Sequence, residues 1–390
     1  MPVVSSGVRA SSKASSFTES VIREMTRLAA VHDAINLGQG FPDFPAPQEL
    51  KDAAARAIAA DHNQYPVTWG VPEFRRAIAA KYERDYGMEI DPESEICVTC
   101  GSTEAMIAAF LGVVDPDDEV VLFEPFYENY GPDSLLAGAM RRYVRLRPPD
   151  WTFDEAELRA AFGDRTRAIV VNSPHNPTGK VFGRDQLAVI ADLCERHDAV
   201  ALTDEIYEHI LYDGREHAPI ATVEGMRDRT VTISALSKTY SVTGWRVGWA
   251  IASEPLMRGI RPTHDFLTVA APTPLQIAGV AALELPSSYY QEIERDYAER
   301  RALMMSILDA VGLAAHSPQG AYYVMADVTP LGFADDTEAA TALVKAGVAT
   351  VPGSSFFSSP ELGHHLLRFA FCKKLETLRE AGDRLTAASR

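Results

Sequence analysis

Ser237-Lys238-Thr239-Tyr240-Ser241-Val242-Thr243-Gly244-Trp245-Arg246-Val247-Gly248 follows directly on the β-like run Thr230-Val231-Thr232-Ile233-Ser234-Ala235. A lysine at the end of a strand, between two small hydroxyl residues and eight positions before an arginine, reads as an amine placed to react. Its neighbours are Ala, Leu, Ser and Thr rather than solvated charges. Desolvation lowers a lysine pKa and frees the lone pair that Schiff-base chemistry with an aldehyde requires. An ordinary loop lysine could carry the same local sequence, so the other segments decide.

Three more apolar runs end in polar residues. Ala199-Val200-Ala201-Leu202 leads into Thr203-Asp204-Glu205-Ile206-Tyr207, a carboxylate with a phenol three residues on. Arg167-Ala168-Ile169-Val170-Val171 gives way to Asn172-Ser173-Pro174-His175-Asn176-Pro177-Thr178-Gly179, whose Asn-Pro and Thr-Gly steps force an irregular backbone. Glu95-Ile96-Cys97-Val98-Thr99 leads to Gly101-Ser102-Thr103-Glu104 and a helical stretch from Ala105. In a mostly parallel α/β sheet the carboxyl ends of the strands line one edge, where ligands bind. The four segments are therefore expected to converge.

The wider pattern fits. From about residue 47 to 285, short β runs alternate with helical stretches such as 186–197, which predicts a doubly wound, largely parallel sheet. After Pro286 come a long charged helix over 287–308, a strand over 321–326, a helix near 337–346 and a strand over 366–371, the pattern of a smaller α+β unit. A chain of 390 residues exceeds one typical core. Residues 48–285 are expected to form the large domain and 286–390 the small one, with a mobile Ser- and Ala-rich arm over 4–16.

Composition excludes several classes. With 37 basic and 54 acidic residues the net charge is −17, which disfavours nucleic acid and anionic membrane surfaces, since both select basic patches. No apolar run approaches the ~20 residues that span a bilayer. The N-terminus carries Arg9 and Lys13 without an apolar run, so no secretory signal is expected and the expected location is cytoplasmic; a mitochondrial transit peptide would share the serine and basic content. Cys97 and Cys100 form a lone C-x-x-C without a second pair, and with Cys194 and Cys372 are expected to be ordinary buried thiols. No metal site is expected.

Taken with Asn36-Leu37-Gly38-Gln39-Gly40-Phe41-Pro42-Asp43-Phe44 and Leu367-Arg368-Phe369, these segments run from residue 36 to 372. In order and spacing the chain resembles the pyridoxal-phosphate (PLP) enzymes of fold type I, in the class I/II aminotransferase family. It is most similar to the branch holding kynurenine aminotransferase, glutamine transaminase K and bacterial aspartate- and methionine-type transaminases. The resemblance implies a large α/β domain plus a small domain that recruits residues 1–47, and a homodimer with shared sites.

The resemblance also implies roles. Lys238 would form the Schiff base with PLP and shuttle the substrate Cα proton. Asp204 would pair with the ring nitrogen, keeping the ring an electron sink; a helix N-cap is its bland alternative. Tyr207 and Asn176 would hydrogen-bond the ring oxygen, within the Asn172 turn; Asn176 could also be a simple turn former. Gly101, Ser102 and Thr103, opening a helix, would cradle the phosphate with backbone amides, joined by Ser237 and Arg246. A structural salt bridge is the other use for Arg246. Tyr127 would stack on the ring or else be a core aromatic, and Tyr65 would reach the partner subunit's phosphate. Many relatives have a serine where this chain has Ala235; Ser234 and Ser237 flank it and could substitute, the lost hydrogen bond otherwise costing about 1.5–3 kcal/mol.

For substrate, Arg368 follows two apolar residues on an expected buried strand, where an unpaired charge is prohibitive. Its planar fork suits an amino-acid α-carboxylate, and Gly38 would bring a backbone amide to the same group. Kynurenine-type relatives carry a Phe-His pair where this chain reads Val269-Ala270, and an early tryptophan where the first here is Trp69. That substrate is not expected. Arg23, Arg27 and Arg261 are the arginines open to a side-chain carboxylate, and His264 and Asp265 are expected on a helix surface. The reaction expected is ping-pong transfer of an amino group from an L-amino acid to a 2-oxo acid. A PLP-dependent β-lyase is the first alternative. A PLP-binding sensor is a remote one, since such regulators carry a basic DNA-binding module ahead of this domain.

Overall fold

A computed structural model describes Ser11, Lys13 and residues 20–388. The arm expected over 4–16 otherwise lies outside the described residues. After the helix Val21–Val31, the short strand β1 (Ile35–Asn36) runs away from the main sheet. That sheet holds β2 (Ile96–Thr99), β3 (Glu119–Glu124), β4 (Met140–Arg145), β5 (Thr166–Asn172), β6 (Val200–Asp204), β7 (Thr230–Ala235) and β8 (Gly248–Ile251), in the order β2-β8-β7-β6-β5-β3-β4. Residues of β2, β3, β6, β7 and β8 are buried throughout, which is why their sequences are continuous apolar runs rather than alternating ones. At the edge, β4 exposes Met140, Arg141 and Arg142, where arginines discourage further strand pairing.

The sheet is α/β and mostly parallel, as expected, with one exception. Strand β8 is antiparallel to both β7 and β2. No helical crossover lies between β7 and β8 to reverse the chain, so β8 turns straight back. The connection is the Lys238–Arg246 segment itself. Because β2 and β7 are each antiparallel to β8, they are parallel to one another, and the carboxyl ends of β2, β5, β6 and β7 do share an edge.

A second, antiparallel sheet has the order β12-β13-β10-β9, from β9 (Ala314–Ala315), β10 (Tyr323–Asp327), β12 (Val351–Pro352) and β13 (Leu366–Ala370). The remaining strand β11 (Val348–Ala349) pairs in parallel with β1, tying the N-terminal segment to the C-terminal part of the chain. Helices Ser287–Ala310, Asp336–Lys345 and Leu375–Ala388 cover this sheet, and Met304, Leu308, Val324, Leu343, Phe369, Leu378 and Leu385 share one core with Leu37. The strand expected from 321 starts at Tyr323, because Ala321 has φ +55° and bends the chain.

Candidate active site

At the carboxyl edge of the main sheet lies a cavity of about 490 Å³, lined among others by Ser102, Thr103, Tyr127, Asn176, Asp204, Tyr207, Ser237, Lys238, Arg246 and Arg368. Strands β6 and β7 deliver Asp204 and the lysine segment, the turn after β5 delivers Asn176, and β13 delivers Arg368 from the second sheet. Two-residue alternation through the turn after β6 sends Asp204 to the cavity and Glu205 to the opposite side, where it meets His217 at 2.8 Å.

The Lys238 amine donates to the Gly40 carbonyl at 3.0 Å, and the Tyr322 hydroxyl donates to the same oxygen at 3.0 Å. Burial lowers the amine to about 8, with Arg246 and Arg368 adding to the shift against Cys372 and Asp204. Gly40 is a necessity of packing: a Cβ there would lie 2.7 Å from Tyr323 Cζ. Burial raises the Asp204 carboxyl above its ordinary range, while the Tyr130 hydroxyl, donating to Oδ2 at 2.7 Å, opposes the shift. The Tyr207 hydroxyl meets that of Tyr323 at 3.1 Å.

The same cavity also meets the start of a helix. The helix expected from Ala105 begins earlier, as Ser102–Val113, because Gly101 takes φ +80° at its N-cap and no side chain caps it. Arg246 lies across Gly101, where a Cβ would sit 2.7 Å from the guanidinium carbon. Its Nη1 donates to Thr243 O at 3.1 Å and its Nη2 reaches Thr103 Oγ1 at 3.4 Å. Among the described residues no carboxylate pairs with Arg246, which removes the salt-bridge alternative. The Ser237 hydroxyl is buried without a partner. Of the two hydroxyls flanking Ala235, Ser234 is turned away, donating to Glu208 Oε1 at 3.0 Å. Only Ser237 remains at the cavity.

Arg368 is 1% exposed. Its Nη1 donates to Asn176 Oδ1 at 2.8 Å and its Nη2 to the Gly38 carbonyl at 2.6 Å, while the guanidinium lies 4.3 Å from the Tyr323 ring centroid. Nε is buried without a partner. Here the structure corrects the expectation for Gly38: its amide is spent on Asn36 Oδ1 at 2.9 Å, and its carbonyl is what faces the arginine. A planar cation held by two neutral acceptors, with no carboxylate, is set to receive one.

Other expected residues stand elsewhere. Asn172 lies behind the cavity, accepting from Asn176 N at 2.7 Å and donating to Asp204 O at 2.8 Å, so it fixes the turn. Gly101 lies beneath Arg246 rather than on the lining. Tyr65 is 83% exposed and off this chain's cavity. His264 is not on a helix surface: it is fully buried, with Nδ1 2.6 Å from Glu104 Oε1 and Nε2 2.9 Å from Thr68 O. Cys100 is half-buried, whereas Cys97, Cys194 and Cys372 are buried. Tyr130 and Tyr323 were missed. Tyr130 opens the helix Tyr130–Ala137 while Tyr127 lies in the loop before it, so no periodicity links the two, and neither Tyr130 nor Tyr323 had a signal in the sequence. Among the described residues no cluster of three or more His, Cys, Asp or Glu could hold a metal ion, and no helix is long and apolar enough to cross a membrane.

Fold and cavity together bring a buried amine, an uncapped helix start and a buried arginine without a carboxylate partner among the described residues to one sheet edge. The chain belongs to the class I and II aminotransferase family, whose model matches residues 32–385. It is 42% identical over 381 residues to a probable N-succinyldiaminopimelate aminotransferase, DapC, of Mycobacterium tuberculosis, covering 95% of this chain and 96% of that one. A solved structure of the M. tuberculosis N-succinyldiaminopimelate aminotransferase superposes with a TM-score of 0.94, covering 97% of this chain and all of that one. The chain is also 36% identical to the methionine aminotransferase of Escherichia coli, covering 94% and 95% of the two chains. Identity to human kynurenine–oxoglutarate transaminase 1 is 36%, covering 93% and 94%. The protein is thus a fold type I enzyme that transfers amino groups.

Proposed function

We propose that the chain moves the amino group of an L-amino acid to a 2-oxo acid with pyridoxal 5′-phosphate in the cavity, as a homodimer. The observation that carries this reading is the Lys238 amine, lowered to about 8 and facing a cavity that also presents Asp204, Arg246 and Arg368. The residues fit the cofactor: the unpartnered Ser237 hydroxyl, the uncapped helix at Ser102 and Thr103 and the unpaired Arg246 suit its phosphate, Asp204 its ring nitrogen, and Tyr207 with Asn176 its ring oxygen. When bound, the group supplies an aldehyde for the substrate amine and a ring that takes up carbanion charge.

The chain's own residues do the rest. Arg368 exchanges its two neutral acceptors for the substrate α-carboxylate and so orients Cα. Lys238 Nζ, lowered to about 8 and so about half in the free-base form near that pH, takes the proton from Cα and would deliver it to the carbon that was the cofactor's aldehyde. Asp204, kept out of water with Tyr130 donating to it, would hold positive charge at the ring nitrogen. Tyr127 closes one face of the cavity. Exposed Tyr65 is assigned to the site of the partner. Division of the chain at residues 47 and 285 belongs to the same reading, supported by the separate sheets and by the pairing of β1 with β11.

The test is a half-reaction: the cofactor-loaded protein is mixed with each of the twenty amino acids without any 2-oxo acid, and its spectrum is followed. Conversion of the cofactor to its amine form, reversed by adding a 2-oxo acid, is expected. Substrate loss with no lasting spectral change would mean elimination instead and overturn the proposal.

A further inference from the structure

Three arginines were open to a second carboxylate, and the structure separates them. Arg261 donates to Glu93 O at 2.8 Å and Ile96 O at 2.7 Å and lies 4.9 Å from the Trp69 ring centroid, so it serves the scaffold. Arg27 is exposed, with Glu24 at 4.0 Å one helical turn before it. Arg23 alone of the three lines the cavity that holds Lys238 and Arg368.

Its placement is fixed by its neighbours on the helix Val21–Val31. Ile22 is buried in one core with Val351 and Phe356, and Phe356 in turn lies 4.8 Å beneath the Arg368 guanidinium. Thr26, one turn after Arg23 and on the same face, bonds Gln39 Oε1 at 2.9 Å and accepts from Asn36 Nδ2 at 3.1 Å. Gln39 lines the cavity and Asn36 holds the Gly38 and Gln39 amides. The helix is thus clamped to the loop under the substrate carboxylate, and position 23 projects over the cavity mouth. Ser20 caps the helix by accepting from Arg23 N at 3.4 Å, but no ion pair or side-chain hydrogen bond joins the Arg23 guanidinium among the described residues. A cation in the first turn also opposes the helix dipole, so nothing in the scaffold calls for it.

Of the charged groups lining the cavity, Lys238, Asp204 and Arg246 are assigned to the cofactor and Arg368 to the α-carboxylate. Arg23 and Glu128 are left. Glu128 has one oxygen occupied by the Ser20 hydroxyl; among the described residues no hydrogen bond or ion pair engages the donors of the Arg23 fork. Resting on the transamination reading, we infer that Arg23 is a specificity-determining residue that receives the side-chain carboxylate of a dicarboxylic amino acid or 2-oxo acid. Arginine suits that group because its planar donors match both carboxylate oxygens. A substrate acidic at both ends would then rest one end on Arg368 and the other on Arg23 at the mouth.

The experiment compares half-reaction kcat/KM for glutamate and for methionine in the wild type, Arg23→Gln and Arg23→Lys. The glutamate-to-methionine ratio should fall at least tenfold in Arg23→Gln and less in Arg23→Lys, which keeps the charge but not the fork. Calorimetric affinities for glutarate and for pentanoate, matched in length and unable to react, should show the same change in ratio. Both amino acids converting with an unchanged ratio would overturn the assignment while leaving transamination standing. So would a wild-type preference for lysine over glutamate that Glu128→Gln removes, since Glu128 would then be the reader. If neither amino acid changes the wild-type spectrum while another of the twenty does, the Arg23 assignment falls and transamination stands; if none of the twenty does, transamination itself falls.

Discussion

Arg368 shows how a single buried charge announces its ligand. Its guanidinium is 1% exposed, yet its partners are a backbone carbonyl and an amide oxygen rather than a carboxylate, and Nε has none. Such a charge is tolerable in the folded chain only because two dipoles and the Tyr323 face offset part of its lost hydration. On the proposed function a substrate carboxylate completes the pair. Arg368→Ala should therefore reduce kcat/KM for amino acids by the equivalent of about 2–5 kcal/mol, the usual loss when one member of a desolvated charge pair is removed. Arg368→Lys should recover part of it. Melting temperatures measured alongside separate the roles: a lower Tm with normal kcat/KM would make Arg368 structural. The arginine was legible in sequence because it interrupts an apolar run. Its partners were not, since whether Gly38 offers its amide or its carbonyl depends on Asn36, which takes the amide first.

Between elements, the helix Ser102–Val113 is fastened to the helix Glu254–Thr268 by a buried acid and base. Glu104 is held below the usual carboxylate range: burial alone would raise it, but hydrogen bonds from His264 and Thr268 outweigh that, and it also accepts from the Cys100 amide. His264 is raised, since its bond and charge attraction to Glu104 outweigh a burial that alone would lower it. A raised imidazole stabilises fully below its ordinary value of about 6.5 and loses the contribution as pH climbs through the folded value. A lowered carboxyl stabilises fully above about 4.3 and loses it as pH falls. The pair should count most between about pH 5 and 6.5. His264→Phe should cost about 3–5 kcal/mol there and clearly less at pH 9, read from urea titrations at both values; an equal cost at both would refute the charge pair. Sequence could not show this pair, because 160 residues separate its members. What it did show were strand ends, since an apolar run broken by Asp204, Asn172 or Lys238 marks where a strand leaves the core. Local bends such as Ala321, and the antiparallel return of β8, depend on tertiary packing and escaped it.

At the scale of the molecule, the proposed dimer must bury a definite face. Phe266 is 92% exposed, Tyr65 83%, and Leu267, Val67 and Val269 are each more than 40% exposed. The segment bearing Tyr65 and Val67 is held beside the helix that carries Phe266 and the one that follows it, by His264 at Thr68 O and by Thr273 Oγ1 donating to Gln64 O at 2.7 Å. Large exposed apolar side chains gathered in this region make it the candidate face for the proposed dimer. Under twofold symmetry each residue is buried twice, so Phe266 contributes about 1.5–3 kcal/mol per copy. Opposing it, each chain carries a net charge of −17, a repulsion that salt screens. Association should therefore tighten between 20 and 200 mM salt. Phe266→Asp adds charge to the face while deleting its largest apolar group, and should yield monomers at micromolar concentration by sedimentation. If Tyr65 serves the partner's site, those monomers should also release cofactor on dialysis, while their circular dichroism stays that of the folded chain. A dimeric Phe266→Asp variant would place the interface elsewhere, and dimers that dissociate yet keep their cofactor would remove Tyr65 from the site.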